Sequence, residues 1–336
     1  MWIKRIIISG LIVVLLCFAA GCGIASNPTD ASNSPAVNTA SSPSPSQQLL
    51  NSPDDGRQSI SQRGLMPKTE EDQKTELNDF EQLLKAVGKE KEAIADIKQE
   101  APHMSAGNAT KMVLDFEAYQ NNGKAAVVTK DLMNLIQSGF AKPYNENMLN
   151  AVSNIQNSEL KNAMQNVLDR GYKIIIPEGM TEAVINYDVY KQFENFATPD
   201  IKAYIEIMAS ESESRMLEDG GIIIPIDEVY ARARACESFI ALYPASSKIG
   251  QVKSMCKTYI DAYFFGMDNT PAFDMTKKKL NQNFMDSYQN ASTDGSKSRL
   301  SKDTSDYMQI LKNNGYMLTD AVKKYRQNMM NELLKN

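Results

Sequence analysis

From Thr69 to the C-terminus, apolar residues recur at the three- and four-residue spacing of amphipathic helices. The segment also carries helix start signals. Thr198-Pro199 and Thr270-Pro271 each place a hydroxyl at an N-cap and proline at the first helical position. Glycines follow several of the periodic runs, where they favour helix ends. The pattern predicts an all-α body over residues 68–336, built from antiparallel helical hairpins that are repeat-like in order.

The predicted helices span residues 70–86, 89–99, 108–121, 124–138, 146–156, 158–169, 180–195, 199–216, 227–243, 248–265, 272–290, 302–313 and 319–334. Only Ile174–Ile176 and Ile222–Ile224 look extended, and each follows a glycine and precedes a proline. The segments around the two triplets resemble two copies of one repeat, and Leu311–Leu318 is a fainter third copy. Repeats at such spacing suggest stacked helical pairs. We predict that both isoleucine triplets are buried and pair with each other as a short two-stranded bridge.

The N-terminus has the features of a secretory signal. Lys4 and Arg5 precede about fifteen mostly apolar residues, and small residues follow. The end, Ala19-Ala20-Gly21-Cys22, resembles the lipobox of bacterial lipoproteins. That resemblance implies removal of residues 1–21, a diacylglyceryl group on the Cys22 thiol, and a place on the outer face of the cell membrane. The alternative is an ordinary signal peptide cut near Ala20, with Cys22 incidental.

Residues 22–67 form a Ser-, Pro- and Asn-rich stretch with few apolar side chains. Such a composition offers little to offset the entropy of ordering a chain, so we predict a disordered linker. About 40 flexible residues span roughly 35 Å in root-mean-square terms. A spacer of that reach lifts a domain clear of the lipid headgroups. It suits a thick cell wall, and a Gram-positive host is therefore our preference.

Residues 228–266 resemble one junction of tetratricopeptide-type helical-repeat lipoproteins of the cell envelope. The resemblance rests on Glu237–Ser247, with Tyr243-Pro244-Ala245-Ser246 at the turn, and on Tyr259 and Tyr263 beyond it. It implies that Pro244 ends one helix and that Ser246 or Ser247 begins the next. The family resemblance implies a helical-repeat body without implying a particular partner.

Composition excludes several classes of function. The chain has 36 basic and 41 acidic residues, and removal of Lys4 and Arg5 leaves 34 basic residues and a net charge of −7. Without a basic cluster, nucleic acid is not an expected partner. The single histidine, His103, lies in a predicted loop away from any nucleophile motif. We expect no metal site, no cofactor and no catalytic residue.

Four charged residues fall on or beside apolar helix stripes and form the candidate polar cluster: Asp188, Glu211, Arg232 and Glu237. Charges on apolar stripes need partners. The cluster is therefore either a polar pocket between helices or a structural ion pair that fixes helix register.

Cys236 and Cys256 lie symmetrically about residue 246, inside the predicted turn of a helical hairpin. Both fall on the inward stripe of their helices. We therefore predict that they are neighbours, within about 7 Å between Cα atoms, and that an oxidising compartment allows a disulfide between them.

Together these features predict a lipid-anchored, extracytoplasmic module that binds another envelope protein or a wall polymer. One alternative is the substrate-binding lipoprotein of an importer, a class that needs two α/β lobes. The other is an envelope enzyme that uses paired carboxylates.

Overall fold

The computed structural model describes residues 67–138, 146–295 and 297–333. Across these residues the chain forms twelve α-helices: α1 (Glu70–Leu83), α2 (Glu90–Glu100), α3 (Ala106–Gly123), α4 (Lys130–Ser138), α5 (Glu146–Asn150), α6 (Ser158–Asp169), α7 (Pro199–Glu213), α8 (Ile226–Leu242), α9 (Ile249–Phe265), α10 (Gln282–Ser292), α11 (Arg299–Asn313) and α12 (Asp320–Leu333). The predicted all-α class is confirmed.

The strands of the described residues form three separate two-stranded antiparallel hairpins: β1 (Tyr172–Ile175) with β2 (Glu182–Ile185), β3 (Leu217–Glu218) with β4 (Gly221–Ile222), and β5 (Gly266–Met267) with β6 (Thr270–Pro271). The last two hairpins meet at their tips. The backbone N–H of Asn269 donates to the carbonyl of Gly220 at 3.0 Å, and the backbone N–H of Ile222 donates to Thr270 Oγ1 at 3.0 Å.

Helices α8 and α9 form the hairpin that the sequence predicts. Leu242 ends α8 two residues before Pro244, whose ring is incompatible with a continuing helix. Ser246 accepts the Lys248 N–H at 3.2 Å and donates its hydroxyl to Asp200 at 2.6 Å, which ties the turn to α7. The turn therefore has a fixed place in the fold.

The predicted helix over residues 180–195 is wrong. Its first part is strand β2, in which Ala183 and Ile185 are buried and Val184 between them is less so. That two-residue alternation is the period of a strand, and pairing with β1 satisfies the backbone. The remainder is turns and a single 3₁₀ turn, Tyr190–Gln192.

The predicted helix over 272–290 begins too early, since α10 starts only at Gln282. The Thr270-Pro271 start signal instead lies in β6, where proline is tolerated because the hairpin has free edges. Ahead of α10, Phe273 pairs with Leu280 through an isolated bridge.

The isoleucine triplets begin in strands, which include Ile174, Ile175 and Ile222, yet they do not pair with each other. Ile174 lies in β1, the first strand of its hairpin, whereas Ile222 lies in β4, the second strand of a different hairpin. Predicted burial is also wrong for Ile223, which is 50% exposed. Ile174, Ile222 and Ile224 are buried, whereas Ile223 lies beyond the end of β4. The two copies therefore occupy different places in their hairpins.

Aromatic side chains fill the interior in two groups. The first joins α3 to the segment before α7, with Phe116 stacked on Tyr190 at 5.7 Å between centroids. The second lies between α9, α10 and α11, where Tyr288 meets Tyr263 at 5.0 Å and Tyr307 at 5.4 Å. Rings of this size bury a large apolar area each and dominate the packing.

No helix among the described residues is both long and apolar enough to cross a bilayer. The predicted signal peptide, the predicted lipidation site Cys22 and nearly all of the predicted linker lie outside the described residues.

Candidate functional site

Glu211 and Arg232, two members of the predicted polar cluster, meet between α7 and α8. Arg232 Nη1 donates to Glu211 Oε2 at 2.7 Å, and Arg232 Nε donates to Glu228 Oε1 at 3.1 Å. Tyr259, on α9, donates its hydroxyl to Glu211 Oε2 at 2.7 Å. The backbone N–H of Met216 donates to Glu211 Oε1 at 3.0 Å. The cluster therefore holds three helices and the turn after α7.

The geometry of this cluster is that of a structural ion pair. Both oxygens of Glu211 accept hydrogen bonds from the protein, and Arg232 is buried between two carboxylates. Burial, with Glu211 beside it, raises the pKa of Tyr259, so the phenol stays protonated and donates. Burial also raises the pKa of Cys236 nearby, which keeps its thiol out of the reactive thiolate form.

Asp188 and Glu237 do not join this cluster. Asp188 lies at the surface after β2 and contacts Lys173 at 3.0 Å and Lys191 at 3.7 Å. Glu237 accepts the backbone N–H of Leu300 at 2.9 Å, in the first turn of α11. A carboxylate at that position accepts a hydrogen bond from an otherwise free N–H group and interacts favourably with the positive end of the helix dipole.

Cys236 and Cys256 are both buried on the facing sides of α8 and α9, and both thiols are free in the structure. Cys256 Sγ lies 3.9 Å from the carbonyl oxygen of Ala233. Burial raises the pKa of Cys256 to about 12, and the proximity of Cys256 adds to the rise at Cys236. The disulfide between them stays a prediction.

Sequence reasoning missed another buried charge, Glu117 on α3. Its carboxylate accepts the hydroxyls of Tyr187 and Tyr204 and pairs with the ammonium of Lys248, whose Nζ lies 4.8 Å from the centre of the Tyr204 ring. The signal was available, because Glu117 lies four residues after buried Val113 on the apolar face of its helix. Glu211 was found by looking for charged residues on the apolar face of a predicted helix, and the same criterion identifies Glu117.

Glu76, Asp96 and Glu100 form the one group of carboxylates that could hold a cation in the part of the chain that the structure describes. The ammonium of Lys68 contacts Glu76 and Glu100 and supplies the positive charge there. Lys68 also donates its backbone N–H to the carbonyl of His103 at 2.9 Å. The arrangement fixes the first described residues to α1 and α2.

An open groove of about 350 Å³ lies between α10 and α11. Seven of its eight lining side chains carry a polar group: two amides, from Gln289 and Gln309, three hydroxyl side chains, the ammonium of Lys312 and the phenol of Tyr316. Met308 is its one purely apolar side chain. The sequence analysis did not anticipate the groove, because it requires the long-range packing of two helices whose polar faces look solvated when each is considered alone.

No protein-family model, no curated protein and no solved structure matches this chain. The functional inference therefore depends on the geometry and chemistry of its own residues.

Proposed function

We propose that this chain is a bacterial lipoprotein, anchored through a lipid on Cys22, whose helical body is a binding module outside the cytoplasm. The observation that carries the proposal is the order of three segments. A basic and apolar start ending in Ala19-Ala20-Gly21-Cys22 is followed by a Ser/Pro/Asn-rich stretch and then by the helical body. Two acyl chains, at about 0.8 kcal/mol per buried methylene, anchor a protein where one chain binds reversibly.

The way the body begins supports a tether attached at a fixed point. Lys68 is bound through its ammonium to Glu76 and Glu100. Its carbonyl accepts the side-chain amide of Gln73 at 2.9 Å. The body is thus attached to the predicted linker at one fixed point, and under the proposal that tether raises its local concentration near envelope ligands.

The fold favours binding over the two alternatives. An importer's binding protein needs two α/β lobes, and the described residues contain only three isolated hairpins. A two-carboxylate enzyme needs both groups at an accessible cleft. Here Glu211 and Glu228 both bind Arg232, and Glu76 and Glu100 both bind Lys68. The partner that we propose is another envelope protein or a wall polymer.

Labelling with an alkyne analogue of palmitate in the native host tests the anchor. Wild-type protein incorporates the label, and Cys22→Ser does not, because the substitution removes the accepting thiol. Cys17→Ser is the matched control, since it replaces a cysteine in the segment that processing removes, and it keeps the label.

Mass spectrometry of the purified wild type shows whether the mature chain begins at Cys22. Label that persists in Cys22→Ser, or a mature N-terminus elsewhere, would contradict the proposal.

A further inference from the structure

Three polar side chains of the groove between α10 and α11 have no partner among the described residues. They are the amide of Gln289, the ammonium of Lys312 and the hydroxyl of Tyr316. Other surface cations of α11 are paired: Lys302, for example, contacts Asp306 at 2.7 Å. The groove therefore presents unused donors and acceptors together.

From this lining we propose that the groove binds a hydroxyl-rich glycan chain. The inference rests on the proposed binding function and names its ligand class. Amides and hydroxyls donate and accept at once, which matches the hydroxyl and acetamido groups of sugars. The groove's serine hydroxyls donate to backbone carbonyls, as Ser305 does to Ser292 O at 3.3 Å, so their oxygens remain free to accept.

Tyr316 places an aromatic ring at the groove; the ring is half-buried against the core, and under the proposal its open part stacks on the apolar face of a sugar. Its backbone is held in the left-handed region, with φ of 58°. Two hydrogen bonds fix it there: its N–H donates to Leu311 O at 2.8 Å, and its carbonyl accepts the Leu280 N–H at 2.9 Å. A non-glycine residue in this region is strained, and the strain persists only where the surroundings enforce it.

A glycan fits this groove better than a protein does. Protein interfaces depend on aromatic and aliphatic anchors that enter desolvated pockets. Here Met308 is the one purely apolar side chain, and the groove is open. Its volume of about 350 Å³ is within the usual range for small-ligand sites, about 300–1,000 Å³. An open groove also accepts the middle of a long chain.

The test is isothermal titration calorimetry on the full-length lipoprotein, solubilised in a polyoxyethylene detergent because sugar-headed detergents would compete. The two probes are N-acetylated chitotetraose, which is neutral, and tetragalacturonate, which is acidic. We expect Gln289→Ala and Tyr316→Asn to weaken the binding of both by about three- to tenfold. Asparagine is chosen because it tolerates positive φ while it removes the ring together with its hydroxyl.

Lys312→Ala weakens the binding of tetragalacturonate by about tenfold and leaves the affinity for chitotetraose within about twofold of wild type. Only the acidic probe offers the ammonium a charged partner. Lys302→Ala, which removes a charge from another part of α11, leaves both affinities unchanged. Each variant is checked for a wild-type circular-dichroism spectrum. If Tyr316→Asn unfolds, Gln289→Ala still tests the proposal, because Gln289 is exposed and its replacement should not disturb the fold.

Absence of binding by both probes would overturn the proposal, as would binding that Gln289→Ala and Tyr316→Asn leave at wild-type affinity. Neither result depends on the lipid on Cys22. Failure of the glycan proposal is therefore distinguishable from failure of the anchor, which the palmitate label reports.

Discussion

Replacing Glu117 by leucine tests how much the buried charge on α3 stabilises the body through Tyr187, Tyr204 and Lys248. The side chain is 3% exposed and accepts from two buried phenols, so its removal leaves Tyr187 and Tyr204 without this acceptor. A buried donor without a partner costs about 1–3 kcal/mol. The Tyr204 hydroxyl still has the side-chain oxygen of Gln251 as an acceptor at 3.0 Å, so the loss of stability at Tyr204 should be at the low end of this range.

Lys248 loses its partner in the same substitution. Its side chain is 19% exposed, so the ammonium can turn toward water and costs less than a fully buried charge. The three losses together give a decrease of about 4 kcal/mol in the free energy of unfolding, within the range of about 3–5 kcal/mol for breaking a buried pair. In thermal terms this lowers Tm by roughly 10 °C for a body of this size.

The assay is urea unfolding of the full chain, followed by far-ultraviolet circular dichroism. Glu81→Gln is the control, since it breaks only an exposed pair with Lys111 and should leave the urea midpoint close to that of wild type. The double variant Glu117→Leu with Lys248→Met should lose less than the two single losses combined, because no unpaired ammonium remains. A Glu117→Leu protein within about 0.5 kcal/mol of wild type would refute the reasoning.

Two further predictions concern the backbone and pH. Gly266→Ala should lower the free energy of unfolding in urea by at least about 2 kcal/mol, because φ is 73° and a Cβ would lie 2.3 Å from the carbonyl oxygen of Thr270. Gly250→Ala, a helical position with open space, should instead raise it by about 0.5–1 kcal/mol, and equal effects at both sites would contradict the steric account. Burial and nearby carboxylates raise the pKa of Asp96 in the folded state, so its contribution to stability is present at acid pH and is lost as pH rises through that pKa. Asp96→Asn should therefore stabilise the body by about 0.5 kcal/mol at pH 7 and by less as pH falls toward 4, and a gain that is independent of pH would contradict this.

Helix prediction succeeded where one period dominates and local signals mark both ends. Helix α6 matches its predicted bounds of 158–169, with Asn157 accepting the Leu160 N–H at 2.9 Å as an N-cap. It failed over 180–195, where apolar residues are dense enough to fit either period. Pairing with β1 decided that segment, and a partner strand is a long-range feature that a local pattern does not contain.

The prediction of the candidate polar cluster was likewise correct for some residues and wrong for others. Glu211 and Arg232 were found because each lies on the buried face of a correctly predicted helix. Asp188 was misplaced because its helix does not exist. Glu237 does lie on a real helix, but its partner is the first turn of α11, more than sixty residues away in sequence. Periodicity identifies which charges face inward, and only packing determines which of them meet.

The charged and polar side chains of the body have two different roles. Glu117 and Arg232 are buried and pair with groups on other helices, so a ligand that recruited them would have to break contacts worth several kcal/mol. Gln289 and Lys312 are exposed to water in the groove, and a ligand's hydroxyls or carboxylate exchange for that water at little cost. Under the proposed function, recognition is therefore expected at the groove, while the buried pairs fasten α3 to the start of α9 and α7 to α8.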